Sequence, residues 1–122
     1  MNSPPSLYEN IPMTYPIQVT FQQLDRSDAL ETSLRERAEK LAHYHPGITA
    51  CHVTVEPEGR HQHNGRRYNV RLDIKVKGKQ IAITRHADED AFVAGREAFD
   101  AARRALEGEL DAARGFVKQT TG

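Results

Sequence analysis

Residues 67 to 77, RYNVRLDIKVK, alternate polar and apolar side chains without a break. Successive side chains of a β-strand point to opposite faces, so this period of two predicts a strand with one face in the core and one in water. The apolar face comprises Tyr68, Val70, Leu72, Ile74 and Val76. The polar face comprises Arg67, Asn69, Arg71, Asp73, Lys75 and Lys77. Such a strand has to be paired in a sheet and covered on its apolar face, which restricts the folds that are open to the chain.

Three further segments resemble this strand. PIQVTFQQL, from residue 16, and ITACHVTVEPE, from residue 48, alternate in the same way and each predict a half-buried strand. KGK, residues 77 to 79, predicts a turn into a short fourth strand through Ile81 and Ile83. The sequence therefore predicts four strands.

Two segments have helical spacing instead. Ser27 is a suitable N-cap, and leucine and alanine then recur every three or four residues until HPG, residues 45 to 47, ends the helix. The second helix is long and runs from an acidic cluster to Gly115. The cluster consists of Asp88, Glu89 and Asp90, and we interpret it as a helix cap rather than as a divalent-metal site. The apolar stripe of this helix comprises Phe92, Phe99, Ala102, Leu106 and Leu110.

The order of these elements predicts an α+β fold, β-α-β-β-β-α. Each strand has one apolar face and each helix one apolar stripe, so a four-stranded sheet is expected to carry both helices on one face. A length of 122 residues fits one domain. Four prolines within the first sixteen residues predict a flexible leader over 1–15, followed by the domain over 16–115 and a C-terminal tail over 116–122.

Charge is balanced over the chain but not along it. There are 17 basic and 17 acidic residues, yet residues 60 to 86 contain eight basic side chains and one acidic side chain. Lysine and arginine supply most of the non-specific affinity for nucleic acids through phosphate contacts, so this segment is a candidate electrostatic footprint. The alternative is a solvated sheet face whose lysines discourage edge pairing.

The sequence offers little for catalysis, metals or membranes. It contains no phosphate-binding glycine loop and no hydrolase or zinc-protease motif, so no enzymatic activity and no cofactor are expected. Cys51 falls on the apolar face of a strand and is expected to be a small buried hydrophobe. His52, His61 and His63 are possible metal ligands, but we prefer a polar loop because no further ligand has a suitable spacing. No membrane span and no signal peptide are predicted.

The arrangement of three segments resembles a known family. These are SDALETSLRERAEKLAHYH from residue 27, CHVTVEPEGRHQHNGRRYNVRLDI from residue 51 and HADEDAFVAGREAFDAARRALE from residue 86. In this order they are similar to the ribosome hibernation-promoting factors, also called ribosome-associated inhibitors, over about residues 15 to 112. The length is similar to that of the short, proteobacterial form, which has no C-terminal dimerisation domain.

The resemblance implies a partner and a location. The expected partner is the small ribosomal subunit with its rRNA, in the channel for mRNA and tRNA, where binding would inhibit translation. The protein is expected in the cytoplasm, as a monomer when free, with no small-molecule substrate. A protein-interaction module that pairs through the long final helix is the alternative.

The resemblance also implies rRNA contacts by basic residues on both helices. Arg37, Lys40 and Arg104 occupy basic positions of the family, and Arg96 and Arg103 lie on the same exposed side. Several lysines of the family are replaced here, by Glu36, Glu39, Ala101, Gly108 and Glu109, which gives more weight to the third strand. The predicted rRNA-binding set is therefore Arg37, Lys40, Arg67, Arg71, Lys75, Lys77, Arg96, Arg103 and Arg104. The strand's polar face has no aromatic for base stacking, so backbone recognition is expected.

Overall fold

A computed structural model describes residues 16–58, 67–84 and 86–121, and from residue 109 onward the helix backbone alone. The elements are β1 (Ile17–Phe21), α1 (Asp28–Tyr44), β2 (Ile48–Pro57), β3 (Tyr68–Val76), β4 (Lys79–Ile83), β5 (Ala87–Asp88) and α2 (Ala91–Thr121). The predicted leader over 1–15 and the candidate metal ligands His61 and His63 lie outside the described residues.

The strands form one mixed sheet in the order β1-β2-β3-β4. β1 runs parallel to β2, with Ile17 opposite Cys51, and β3 runs antiparallel to both of its neighbours. Parallel strands require a crossover, and α1 provides it. The predicted α+β order is confirmed, with one addition. The two-residue strand β5, which the sequence did not predict, pairs with Tyr68 and Asn69 at the start of β3.

Both helices pack on the same face of the sheet, as predicted. α1 contributes Leu30, Leu34, Ala38 and Leu41 to the core. The Ser27 hydroxyl accepts a hydrogen bond from the Leu30 amide at 3.2 Å, which confirms the predicted N-cap. At the other end the His45 amide donates to the Leu41 carbonyl, and the helix stops there.

α2 begins at the acidic cluster, as predicted. The Asp90 carboxylate accepts a hydrogen bond from the Phe92 amide at 2.9 Å, and the Asp88 carboxylate accepts one from the Asp90 amide at 2.9 Å. The helix then continues to Thr121. Its buried residues are mostly small, namely Ala94, Gly95, Ala98, Phe99, Ala102 and Leu106.

The prediction that Phe92 belongs to the core stripe is wrong. Its exposed fraction is 45%, whereas that of Phe99 is 5%. Phe92 lies in the first turn of α2, at the rim of a cleft of about 550 Å³ that Phe21, Leu24 and Tyr68 also line. No described element covers the outer side of this ring.

The two helices run in the same direction and approach closely. A Cβ atom on Gly95 would lie 2.7 Å from Leu34 Cδ2, so only glycine fits opposite Leu34 with the observed spacing. Ten residues further along α1, Tyr44 contacts Arg103 and Glu107 of α2. A parallel pair of helices thus places the C-terminal end of α1 beside the middle of α2.

The polar face of the sheet is less exposed than its sequence indicated. Asn69 and Thr54 are buried, with exposed fractions of 5% and 4%. The expectation that Asn69 faces water is wrong, because its amide lies within a hydrogen-bonded network described below. Cys51 is buried in the core, as predicted.

Candidate nucleic-acid interface

The nine predicted binding residues lie on two surfaces on opposite sides of the sheet. We call the first the strand row, which consists of Arg67, Arg71, Lys75 and Lys77. We call the second the helix groove, which consists of Arg37, Lys40, Arg96 and Arg103. Arg104 lies next to Arg103 on an exposed part of α2.

The two arginines of the strand row are held by carboxylates. Arg71 Nε donates to Glu56 Oε2 at 3.1 Å, and both side chains are about one-third exposed or less. Arg67 Nε lies 3.4 Å from Glu58 Oε1, and its guanidinium also donates to the Ala87 carbonyl at 3.3 Å. These guanidinium groups join β2, β3 and β5, so their charge is already compensated within the protein.

Glu56 is the centre of this arrangement. Its Oε2 also accepts a hydrogen bond from Asn69 Nδ2 at 3.0 Å. Asn69 in turn donates to the Thr84 carbonyl at 3.3 Å and accepts from the His86 amide at 2.9 Å. Asn69 therefore connects the end of β4 to the segment that leads into α2.

The two lysines of the strand row are placed differently. Lys75 is exposed at the far end of β3, and Lys77 is exposed in the turn between β3 and β4. Lys77 and Gly78 have φ values of 33° and 80°, a two-residue turn of the kind that fits the twist of a hairpin. Among the described residues, no carboxylate lies within 4.0 Å of either ammonium group.

The helix groove brings its cations together from two elements. Arg37, Lys40 and Tyr44 share one side of α1 because they are three and four residues apart. Arg96 and Arg103 share one side of α2 because they are seven residues apart. The contact between Tyr44 and Arg103 shows that these two sides face each other. Along the helix axes, Arg37 and Lys40 therefore lie between the level where Leu34 meets Gly95 and the level where Tyr44 meets Arg103.

The strand lysines and the helix groove meet at one end of the molecule. Ile48, just after α1, pairs with Val76 at the end of β3, so the β3-β4 turn lies near the C-terminal end of α1. We call this region the basic end, and its cations are Lys40, Lys75, Lys77, Lys79, Arg103 and Arg104. Its acidic neighbours on the helices include Glu36, Glu39, Asp100 and Glu107.

The opposite end of the molecule is acidic. There the sheet and both helix N-termini bring together Asp25, Asp28, Glu31, Glu56, Glu58, Asp88, Glu89 and Asp90. Arg26 and Arg35 are further cations beside these carboxylates, and both pair with Glu31, at 2.9 Å and 3.1 Å. On the charges of the described side chains, phosphate groups would be repelled from this end and attracted to the other.

The described residues include no metal-binding cluster, and the one cysteine is not activated as a nucleophile. No group of three or more His, Cys, Asp or Glu side chains with metal-binding geometry occurs in the described part of the chain. His52 Nε2 lies 2.9 Å from Thr20 Oγ1 in a hydrogen bond between β2 and β1. Burial, together with the nearby Asp73 carboxylate, raises the pKa of Cys51 to about 12. Its thiol is therefore protonated at neutral pH.

The order and geometry of these elements agree with a comparison against protein families. Residues 17–113 match the family described as "Sigma 54 modulation protein / S30EA ribosomal protein". The chain belongs to this family. Membership of the S30EA family makes it a ribosome-associated protein. No curated protein sequence matches the chain, and no described helix is long and apolar enough to cross a membrane.

Two solved structures share the fold. A ribosomal subunit interface protein from Coxiella burnetii is 19% identical, with a TM-score of 0.58, over 82% of this chain and 98% of its own. The N-terminal domain of Protein Y from Thermus thermophilus is 16% identical, with a TM-score of 0.60, over 73% of this chain and 91% of its own. The family match over residues 17–113 includes all five strands, α1, and α2 as far as residue 113.

Sequence reasoning did not find Glu56 and Asn69 as partners. An asparagine in the middle of a strand was a usable signal, because strands are depleted of asparagine unless its amide has a specific partner. It also did not separate the strand row into two paired arginines and two unpaired lysines. That division depends on which acidic residues the register of β2 and β3 places opposite each cation.

Proposed function

We propose that this S30EA family member inhibits translation by binding rRNA of the small ribosomal subunit in the channel for mRNA and tRNA. The observation that carries the proposal is the convergence of strand and helix cations at the basic end. Family membership indicates the ribosome as the partner. The clustering of cations at the basic end indicates which surface would contact RNA. Such a protein would work in the cytoplasm.

The proposed contact surface consists of the basic end and the helix groove. Lys75 and Lys77 are exposed on the sheet side, and Lys40, Arg103 and Arg104 are exposed on the helix side. Arg37 and Arg96 extend the surface along the groove. Cations from a rigid scaffold lose little conformational freedom when they bind phosphates, which favours recognition of a folded RNA by its backbone.

Arg67 and Arg71 have a different role in this proposal. Each already has a carboxylate partner, so a phosphate contact would have to compete with an existing ion pair. We assign these two arginines to the stability of the acidic end. They are therefore not part of the proposed RNA-binding surface.

The alternative of a protein-interaction module has less support. The apolar residues of α2 that the structure describes, Phe99, Ala102 and Leu106 among them, are buried against the protein's own sheet. Little of the described apolar stripe is left for a partner helix.

Sedimentation through a sucrose gradient tests the proposed function. The protein is mixed with purified small and large subunits, and each fraction is probed for the protein. We expect it to travel with small subunits and to be lost from them when mRNA and tRNA occupy the channel. Protein that stays at the top of the gradient, or that travels with large subunits alone, would contradict the proposal.

A further inference from the structure

Tyr44 is an exposed aromatic residue at the basic end. It lies in the last turn of α1, on the same side as Arg37 and Lys40, and its exposed fraction is 50%. The other large exposed apolar side chain of the described residues is Phe92, at the acidic end. A nucleic acid would approach the basic end and be repelled from the acidic end. Tyr44 therefore lies where a base could reach it, and Phe92 does not.

The Tyr44 ring is held in place although half of it is in water. The Arg103 guanidinium carbon lies 5.5 Å from the ring centroid, a cation-π distance. The phenolic hydroxyl donates a hydrogen bond to the Glu107 carboxylate, also on α2. These two contacts with α2 fix the orientation of the ring. Stacking of a ligand on the ring would therefore cost little further conformational entropy of the Tyr44 side chain.

We propose that Tyr44 stacks against an unpaired base of the RNA bound at the basic end. This inference rests on the proposed function and names a base-binding subsite within its surface. Every nucleobase has a π-face, so a tyrosine accepts any of the four bases, and the neighbouring Lys40 and Arg103 would hold the adjoining phosphates. Recognition would then combine phosphate contacts with one stacked base, without reading a sequence.

The polar face of β3 has no aromatic residue, so its sequence predicts backbone contacts alone. The stacking residue comes from a different element. Only the parallel packing of α1 and α2 places Tyr44 beside Arg103, and only the pairing of Ile48 with Val76 places both near the lysines of the β3-β4 turn.

Fluorescence provides a direct test, because the chain contains no tryptophan. The Tyr44→Trp variant would carry a single tryptophan at the proposed subsite. We expect its emission, after subtraction of the signal of the unaltered protein with the same subunits, to be quenched when purified small ribosomal subunits are added to saturation. Phe92→Trp is the matched control, an equally exposed aromatic position at the acidic end, and its emission is expected to stay unchanged. Saturated binding with no change in the emission of Tyr44→Trp would overturn the inference.

Affinity measurements separate stacking from a purely structural role. Tyr44→Phe keeps the ring and loses the hydrogen bond to Glu107, so its affinity for small subunits should stay within about two-fold of the original. Tyr44→Leu removes the ring, and the affinity should fall by about 5-fold to 150-fold, the equivalent of about 1 to 3 kcal/mol for one stacked base. A Tyr44→Leu variant that is folded, by circular dichroism, and binds with unchanged affinity would contradict stacking.

These outcomes are distinguishable from failure of the proposed function. If the unaltered protein does not bind small subunits, the function and the subsite are both refuted. If it binds and Lys75→Gln weakens binding while Tyr44→Leu does not, the function stands and only the subsite is refuted.

Discussion

At the scale of single residues, Glu56 and Asn69 organise the acidic end. One carboxylate oxygen, Glu56 Oε2, accepts hydrogen bonds from Asn69 and from Arg71. Asn69 also makes two hydrogen bonds to the backbone, at Thr84 and His86. Since a buried polar group is costly only when it lacks partners, these bonds turn an unfavourable strand residue into a link between β3 and the start of α2.

Replacing Asn69 by alanine should therefore destabilise the protein. The variant loses the amide and leaves the His86 amide without its acceptor, so we expect the free energy of unfolding to fall by about 1 to 3 kcal/mol. Urea denaturation followed by circular dichroism measures the change. Gln80→Ala, which removes an exposed amide that contacts Asp73 at 3.4 Å, is the control and should change stability by less than about 0.5 kcal/mol. Equal effects of the two variants would contradict the network.

Cys51 allows a second test at this scale. Its pKa is raised to about 12 by burial and by Asp73, so in the folded protein the thiol stays protonated up to strongly alkaline pH. We expect iodoacetamide at pH 8 to leave Cys51 unmodified over hours and to alkylate it rapidly in 8 M urea, with mass spectrometry as the readout. Because folding raises the pKa of the thiol, its contribution to the free energy of unfolding is complete below its ordinary pKa near 9. This contribution is lost as the pH rises towards 12. Rapid alkylation of the folded protein would contradict the burial of Cys51 in the core.

At the scale of elements, the packing of α1 against α2 positions the helix groove. Gly95 permits this packing, since a Cβ atom there would lie 2.7 Å from Leu34 Cδ2, and Leu34 is only 1% exposed. Gly108, in the same helix, has open space around its Cβ position. The two glycines therefore differ in packing while both lower the helix propensity of α2.

Alanine at each position separates these two effects. Gly108→Ala should raise the free energy of unfolding by about 1 kcal/mol, because alanine is the better helix former and meets no neighbour. Gly95→Ala gains the same propensity but forces Leu34 to move within a filled core, so we expect a net loss of about 1 to 2 kcal/mol. Thermal or urea denaturation of both variants gives the comparison. A Gly95→Ala variant as stable as Gly108→Ala would mean that the helices do not approach closely at this point.

Most of the secondary structure was predictable from the sequence. Periods of two and of three to four residues, with Ser27 and Asp90 as caps, were sufficient to predict the strands and both helices. β5 was not predictable, because two residues carry no periodicity and are defined only by their pairing with Tyr68 and Asn69. The exposure of Phe92 was not predictable either, since it depends on whether another element covers the first turn of α2.

At the scale of the whole molecule, the fold separates the charges of the described side chains into a basic end and an acidic end. The basic segment of the sequence does not form one basic surface: β3 carries its arginines into the acidic end and its lysines to the opposite end. The sequence predicted the cations but not their partners, because register decides which carboxylate faces which arginine. The central claim is that Lys75 and Lys77 bind phosphate and that Arg67 and Arg71 do not.

The salt dependence of small-subunit binding tests this claim most directly, with two variants of equal charge change, one towards each end of β3. The variants are Lys75→Gln with Lys77→Gln, and Arg67→Gln with Arg71→Gln, each compared with the original protein from 50 to 300 mM salt. The slope of log affinity against log salt is negative, and each lost phosphate contact reduces its magnitude by roughly 0.7 to 0.9. We predict that the magnitude of the slope falls by about 1 to 2 in the lysine variant and is unchanged in the arginine variant. An unaltered slope in the lysine variant, or an equal reduction in both, would contradict the account.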